Sequence, residues 1–349
     1  MIAGVIEGFF GKQWGWPQRE EAVRWLARAG YDFYTYAPKG DASLRRAWRE
    51  PIPDGTAGEL CALGARCRAL GLAFGVGLSP FEVYRDYDGN ARRHLRDKVL
   101  QINQIGATQL CILFDDMRGD LPDLAQMQAR IVADIAGWSS ASRLIFCPTY
   151  YSFDPLLERV FGAQPQGYLP ELGRLIDPRI DFFWTGEVVC SDCYPPQHLS
   201  LVADLIGRKP FIWDNNITND SKLRSGKLFL TPDAGRWSLP RDLVAGLAIN
   251  PMNQPALSTI ALCAYRKLIG GGNADALAAD CFAACGPVVT ALLRADLDSF
   301  QKTGLTGLDP ETLDQMIERY SRQSDNPFAG DVLDWLRGDY RFDPACLTA

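Results

Sequence analysis

The chain has 349 residues, of which 47% are hydrophobic and 22% charged, and it contains 22 prolines. This composition is typical of a folded globular protein and excludes disordered and fibrous classes. A net charge of −6, with no long lysine- or arginine-rich stripe, counts against nucleic acid as a partner. No apolar stretch approaches the roughly 20 residues that span a bilayer, so no membrane partner is expected.

The first ten residues, MIAGVIEGFF, carry no basic leader and enter a predicted strand directly. The ten cysteines are scattered, and Cys190 and Cys193 form the only C-x-x-C spacing in the sequence. Because neither a second pair nor histidines accompany them, we interpret this spacing as incidental and not as a zinc or redox site. The sequence thus predicts a cytoplasmic protein with free thiols, no metal and no cofactor.

Short apolar runs rich in β-branched and aromatic residues alternate along the chain with longer segments of helical periodicity. The predicted strands are 2–7, 32–37, 73–78, 109–114, 142–147, 180–185, 210–213 and 245–249. The predicted helices are 17–29, 56–70, 90–105, 121–137, pieces of 154–175, 196–207 and 254–268. Eight strand–helix units with nearly continuous apolar strands predict an α/β fold, the closed parallel TIM (β/α)8 barrel.

Three consecutive glycines at 270–272 mark the expected end of this barrel. We predict a catalytic barrel over 1–270 and a small C-terminal α-helical bundle over 273–349, with helices at 276–301, 310–322 and 329–340. The role of the bundle is open: it could pack on the barrel, dimerise, or close a substrate groove.

Polar and aromatic residues follow six of the predicted strands, where a TIM barrel builds its active site. They occupy positions 7–11, 38–41, 115–116, 149–151, 213–220 and 250–253. Carboxylates, amides, a lysine and aromatic rings on one rim suit a sugar, whose hydroxyls need hydrogen-bond partners and whose ring faces need apolar walls. No glycine-rich phosphate loop follows the first strand.

The neighbouring carboxylates Asp115 and Asp116 are the leading acid/base candidates. The two histidines, His94 and His198, do not follow strands, so a histidine triad or multi-histidine metal centre is hard to assemble. An isolated Asp-Asp usually forms a turn or a helix cap, but this pair follows the apolar run LCILF. Two neighbouring carboxyls cannot both ionise at their ordinary pKa, so one is expected to keep its proton near neutral pH and act as the acid. The pair fits glycosidases in which the substrate's acetamido group replaces the enzyme nucleophile.

These motifs resemble glycoside hydrolase family 84, the β-N-acetylglucosaminidases also called O-GlcNAcases. The matching stretches lie in family order across the whole predicted barrel. They are GVIEGFFGKQW (4–14), YAPKGD (36–41), W-REP (within 48–51), ILFDDM (112–117), FCPTYY (146–151), WTG (184–186), IWDNNITND (212–220) and NPMNQ (250–254).

The resemblance implies a retaining exo-β-N-acetylglucosaminidase that releases terminal β-linked GlcNAc from proteins or glycoconjugates through an oxazoline intermediate. It implies that Asp115 orients the 2-acetamido group and that Asp116 is the general acid and later the base. The residues implied to bind the sugar are Gly8 and Lys39 at the 3-hydroxyl, Tyr151 and Trp213 around the acetamido group, Asn215 beside the carboxylates or the substrate, and Asp220 with Asn253 at the far edge.

Phe10 and Tyr150 depart from the family pattern, which usually has a tyrosine at the first position and often an acid at the second. These changes could alter preference for the aglycone, the group attached to the sugar. Taken singly, Lys39 could be a surface residue, Trp213 a core aromatic and Asn253 a helix cap.

Two other functions stay open from the residues. One is a catalytically silent GlcNAc- or glycopeptide-binding protein, which the intact acid pair disfavours. The other is a metal-assisted hydrolase, which the shortage of histidines disfavours. The expected partner is a GlcNAc-bearing protein, peptide or glycan, and homo-oligomer formation is left open.

Overall fold

The computed structural model describes residues 1–232, 236–270, 281–340 and 342–348. Eight parallel strands form one closed barrel in chain order, which confirms the predicted TIM barrel. Each strand lies within one residue of its predicted bounds at either end. The strands are β1 Ile2–Glu7, β2 Phe33–Tyr36, β3 Ala73–Leu78, β4 Gln109–Leu113, β5 Arg143–Cys147, β6 Asp181–Trp184, β7 Phe211–Asp214 and β8 Gly246–Ile249.

The strands are buried along most of their length because helices cover their outer faces and side chains fill the barrel. The helices around the barrel are α1 Trp16–Ala29, α2 Asp54–Ala69, α3 Gly89–Ile105, α4 Leu124–Trp138, α5 Pro155–Phe161, α6 Tyr168–Leu175, α7 Pro196–Ile206 and α8 Pro255–Ile269. In the part of the chain that the structure describes, no helix is both long and apolar enough to cross a membrane.

Two helix predictions needed refinement. The helix predicted at 121–137 begins at Leu124, because residues 121–124 form a turn in which the Leu124 N–H donates to the Leu121 carbonyl at 3.1 Å. The pieces predicted within 154–175 are α5 and α6. Gly162 and Gly167 separate them with φ values of 93° and 71°, a backbone region that favours glycine.

In the described part of the chain after the barrel there are three more α-helices: α9 Pro287–Ala295, α10 Pro310–Ser321 and α11 Pro327–Leu336. The prediction of one continuous helix over 276–301 is wrong where the structure describes it. Gly286 has a φ of 75°, and Pro287 has no N–H to donate back along a helix, so the chain breaks there. Residues 276–280 lie outside the described residues.

The later helices dock on α8 and on the loop between β7 and β8. The Asp331 carboxylate of α11 accepts the N–H groups of Ala256 and Leu257 at 2.7 and 3.1 Å, which caps the first turn of α8. Trp335 donates its indole N–H to the Ser225 carbonyl at 3.2 Å. Residues 271–280 lie outside the described residues, so the predicted boundary near 270–273 stays a prediction.

Candidate active site

A cavity at the carboxyl ends of the strands collects side chains that follow seven of the eight strands. Eight of the nine predicted site residues line it. They are Gly8, Lys39, Asp115, Asp116, Tyr151, Trp213, Asn215 and Asp220. These residues are far apart in sequence, and the closed barrel brings them together because parallel strands all end at the same rim.

Asp115 follows β4 and forms a buried ion pair with Lys39, which follows β2. The Lys39 ammonium also lies 5.6 Å from the centre of the Trp213 ring, within the range of a cation–π contact. Lys39 is buried, so its interpretation as a surface residue is wrong. The second carboxylate oxygen, Asp115 Oδ1, is buried without a hydrogen-bond partner in the described part of the protein. A buried free acceptor is costly, and a ligand N–H would satisfy it.

Asp116 has a different environment from its neighbour. Its φ of 56° lies in the left-handed region, uncommon for a residue other than glycine. Arg45 donates to the Asp116 carbonyl at 3.3 Å, and the Tyr151 hydroxyl donates to Asp116 Oδ1 at 2.9 Å. Burial and the charge of Asp115 raise the pKa of Asp116, against the opposing effects of Lys39, Arg45 and Tyr151. A carboxyl with a raised pKa holds its proton to higher pH.

A hydrogen-bonded wall joins the ends of β7, β8 and β1. Asn215 Oδ1 accepts from the Trp213 indole at 2.8 Å and from the Asn250 amide at 3.0 Å. Asn250 in turn accepts the Gly8 N–H at 3.0 Å. A Cβ on Gly8 would lie 2.4 Å from Trp213 Cζ2, so only glycine fits against the indole. The network fixes the indole against one side of the cavity.

Asp220 lies on another side of the cavity, where the Phe10 N–H donates to its Oδ2 at 2.8 Å. Burial raises the pKa of Asp220 to about 6, although this hydrogen bond works against the shift. Phe10 lines the cavity, and at this departure from the family pattern the side chain lacks only the hydroxyl of a tyrosine.

Asn253 is the one predicted site residue that does not line the cavity. Its amide donates to the carbonyls of Phe10 and Lys12 at 2.8 and 3.1 Å, which holds the loop after β1. It is also not the helix cap considered from the sequence, because Gln254 occupies the position before α8. Direct contact between Asn253 and a sugar stays a prediction.

Two other residues at strand ends also have partners away from the cavity. Glu7 accepts two hydrogen bonds from Arg19, at 2.9 and 2.7 Å, and a third from Tyr34. Tyr150 donates to the Gly162 carbonyl at 2.7 Å and packs inside the wall. The departure at Tyr150 therefore does not place a phenol in the pocket.

Several residues in or beside the cavity were not among the predicted site residues, although Asn250 was placed on the predicted rim. Asn250 had a usable signal, because it directly follows β8. Arg45 lies in the turn after a short helical segment, and nothing in its spacing indicates contact with Asp116. Cys346 and Thr348 line the cavity from the last described stretch of the chain, which carries no motif.

The C-x-x-C cysteines and the side chains that could bind a metal bear on the zinc or redox site considered from the sequence. Cys190 and Cys193 are free thiols, and Cys190 lines the cavity without Cys193. In the described ranges, no three histidine, cysteine, aspartate or glutamate side chains are arranged to hold a metal ion.

Comparison with known proteins gave matches over most of the chain. A family model described as beta-N-acetylglucosaminidase matches residues 3–274. Protein O-GlcNAcase of Mus musculus and that of Rattus norvegicus are each 30% identical over 295 residues. The alignments cover 80% of this chain and 31% of each relative, so the chain spans about a third of their length. A mutant of Thermobaculum terrenum O-GlcNAc hydrolase has a solved structure that superposes with a TM-score of 0.71 at 27% identity. The superposition covers 97% of this chain and 81% of the hydrolase chain.

Proposed function

The chain belongs to the beta-N-acetylglucosaminidase family, glycoside hydrolase family 84, and we propose that it releases terminal β-linked GlcNAc with retention of configuration. The observation that carries this proposal is the unequal pair of neighbouring carboxyls. Asp115 is ion-paired with Lys39 and keeps one free acceptor, whereas Asp116 has a raised pKa. Such asymmetry divides acid and base roles between two residues of the same type.

In the proposed first step, the acetamido oxygen of the substrate attacks C1 and forms a new C1–O bond. The free Asp115 Oδ1 accepts the acetamido N–H, which stabilises the positive charge that develops on the amide. The bond from C1 to the leaving oxygen breaks, and Asp116 donates its proton to that oxygen. The product of this step is an oxazoline, which stays in the pocket.

In the proposed second step, water attacks C1 from the face that the aglycone left. Asp116, now a carboxylate, takes a proton from that water, while the C1–O bond of the oxazoline breaks and restores the acetamido group. Two displacements on opposite faces retain the configuration at C1. No third carboxylate is needed as nucleophile.

The remaining lining residues suit one terminal sugar. The Trp213 indole and the Tyr151 ring provide flat surfaces for the acetamido group, and Lys39 can donate to a hydroxyl next to it. With a pKa of about 6, Asp220 is mostly ionised at neutral pH and can accept hydrogen bonds from sugar hydroxyls. The family match supports removal of a chain-terminal residue, which is exo action.

The proposed natural substrate is GlcNAc on a protein serine or threonine. This follows the names of the relatives, Protein O-GlcNAcase and O-GlcNAc hydrolase. We also propose a cytoplasmic location, since the buried cysteines Cys67, Cys111 and Cys147 are thiols and not disulfides.

The test is release of nitrophenol from 4-nitrophenyl β-N-acetylglucosaminide by purified protein, compared with the Asp115→Asn and Asp116→Asn variants. We expect release by the wild-type protein and a large loss in the Asp115 variant. Proton NMR should detect the β-anomer of GlcNAc first, because configuration is retained. The matching β-glucoside, which lacks the acetamido group, should not be cleaved. Absence of release by wild-type protein, or equal release by all three proteins, would refute the proposal.

A further inference from the structure

Residues 342–348 bring two side chains into the catalytic cavity from outside the barrel. Cys346 and Thr348 are 6% and 5% exposed and both line the cavity, whereas Leu347 between them is 53% exposed. This alternation places every second side chain inward. The wall of the cavity is therefore completed by a stretch of chain that is not part of the barrel strands or their loops.

The inward side chains lie beside the proposed acid. Thr348 Oγ1 donates to Asp116 Oδ1 at 3.4 Å, the same oxygen that accepts from Tyr151. The leaving oxygen of a substrate must approach Asp116 within hydrogen-bond distance to receive its proton. An alcohol hydroxyl on a peptide chain thus already faces the proposed acid.

The remaining free space is too small for a sugar. The cavity measures about 50 Å³, and a buried water needs roughly 10–15 Å³ of such space, so a few waters fit. A pyranose ring with its acetamido group does not. Some part of the wall must move before a substrate enters.

In the described part of the protein, few hydrogen bonds tie residues 342–348 to the barrel. Two of their hydrogen bonds are internal: Asp343 accepts from the N–H of Ala345 and of Cys346, both at 2.9 Å. The bond from Thr348 to Asp116 is long for a hydroxyl and a carboxylate, so its loss costs little. In contrast, the Trp213 indole donates to Asn215 Oδ1 at 2.8 Å, and the Asn215 amide donates to the Val189 carbonyl at 3.0 Å.

The chain just before this stretch is anchored. The Tyr340 hydroxyl donates to Asp331 Oδ1 at 3.2 Å, and the Lys12 ammonium lies 4.5 Å from the centre of the Tyr340 ring. Displacement of residues 342–348 from the cavity therefore does not require the contacts of Tyr340 with α11 to break.

We propose that residues 342–348 are a displaceable cover that occupies the aglycone side of the pocket, with the Thr348 hydroxyl where the alcohol of a serine- or threonine-linked substrate would lie. This inference rests on the proposed glycosidase function. The cover and the substrate compete, so the open pocket exists for only part of the time. The apparent Kd equals the Kd of the open pocket divided by the fraction of protein in which the pocket is open. A pocket that is covered for about 80–90% of the time therefore binds about five- to tenfold more weakly.

The direct test uses the full chain and measures alkylation of the Cys346 thiol by peptide mass spectrometry. Burial and the charges of Asp220 and Asp116 raise the pKa of Cys346, so the covered thiol reacts slowly. A saturating thiazoline analogue of GlcNAc should expel the cover and speed alkylation of Cys346 several-fold. The exposed Cys61 serves as the reference thiol, and its rate should not change.

The outcomes separate this inference from the proposed function. If calorimetry shows that the thiazoline binds while Cys346 alkylation is unchanged or slower, the proposal of a displaceable cover is wrong and the glycosidase proposal stands. If the thiazoline binds neither the wild-type chain nor a Cys346→Gly, Thr348→Gly double variant, both proposals fail.

Kinetics of the same double variant provide a second test. We expect KM for a GlcNAc-bearing peptide to fall about five- to tenfold. Leu347→Gly is the matched control, because its side chain points to solvent, and it should leave KM unchanged. An unchanged or higher KM in the double variant would overturn the proposed cover, since these residues would then not compete with the substrate.

Discussion

Removing the phenol of Tyr151 should extend activity to higher pH. The Tyr151 hydroxyl donates to Asp116 Oδ1 at 2.9 Å, and this bond lowers the pKa of Asp116 against the larger effect of burial. Phenylalanine cannot stabilise the carboxylate, so the variant should keep its acid protonated further into the alkaline range. A hydrogen bond to a charged group contributes about 1.5–3 kcal/mol, and a tenfold change in proton affinity corresponds to about 1.4 kcal/mol. Since Thr348 contacts the same oxygen and replaces part of the bond, we expect the alkaline limb to move up by about one pH unit.

The assay is kcat/KM against pH for phenyl β-N-acetylglucosaminide, whose leaving group needs a proton. The activity of Tyr151→Phe is expected to fall at every pH, because the ring belongs to the pocket. This loss does not change the pH at which the alkaline limb of the kcat/KM profile falls. Tyr150→Phe is the matched control, since the Tyr150 hydroxyl donates to the Gly162 carbonyl inside the wall. A limb that stays in place or moves to lower pH in Tyr151→Phe, or an equal shift in Tyr150→Phe, would refute the assignment of Asp116.

Three further predictions follow from the same contacts. Lys39→Met leaves Asp115 buried without its ion pair, so the free energy of unfolding in urea should fall by about 3 kcal/mol or more. Adding Asp115→Asn should recover part of this free energy, and no recovery would contradict the ion pair. Burial raises the pKa of Asp331 to about 7, above about 3.9 in the unfolded chain. Protonated Asp331 therefore contributes its full stabilisation below about pH 4. The free energy of unfolding of wild type relative to Asp331→Asn should decline from about pH 4 to 7 and then level off. A relative stability that rises with pH over this range would contradict the raised pKa. Replacing the substrate's acetyl group by trifluoroacetyl should slow turnover strongly, because its amide oxygen is a weaker nucleophile; an unchanged kcat would argue against attack by the acetamido group.

The barrel was predictable because most strand residues are apolar on both faces and polar or aromatic residues follow six of the eight predicted strands. Runs such as IAGVIE and QLCIL are short and apolar, and eight of them separated by helices leave few alternatives to a closed barrel. The helix at 276–301 failed for a local reason. Its apolar periodicity continues through Gly286 and Pro287, and the periodicity was given more weight than the break that this pair imposes.

The site was predictable to the level of strand ends but not of side-chain direction. Gly8 and Glu7 are neighbours, yet Gly8 lines the cavity and Glu7 turns to Arg19 of α1. Asn250 and Asn253 lie in one motif, and only Asn250 reaches the cavity. Which neighbour faces the cavity depends on the partners that packing brings to the other, and these are distant in sequence.

The contribution of residues 342–348 could not be found from the sequence. Thr348 and Asp116 are 232 positions apart, and their contact depends on how α11 docks on α8 and directs the following chain across the rim. No periodicity or motif records that path.

The most direct test of the central claim compares Asp116→Asn with Asp115→Asn on two substrates, 4-nitrophenyl and alkyl β-N-acetylglucosaminides. A 4-nitrophenol leaving group hardly needs a proton, whereas an alkyl alcohol does. For Asp116→Asn we predict a loss of about 10²–10⁴-fold in kcat/KM on the alkyl substrate and a much smaller loss on the 4-nitrophenyl substrate. Asp115→Asn should lose similar factors on both. Equal losses on the two substrates for Asp116→Asn would contradict its role as the acid.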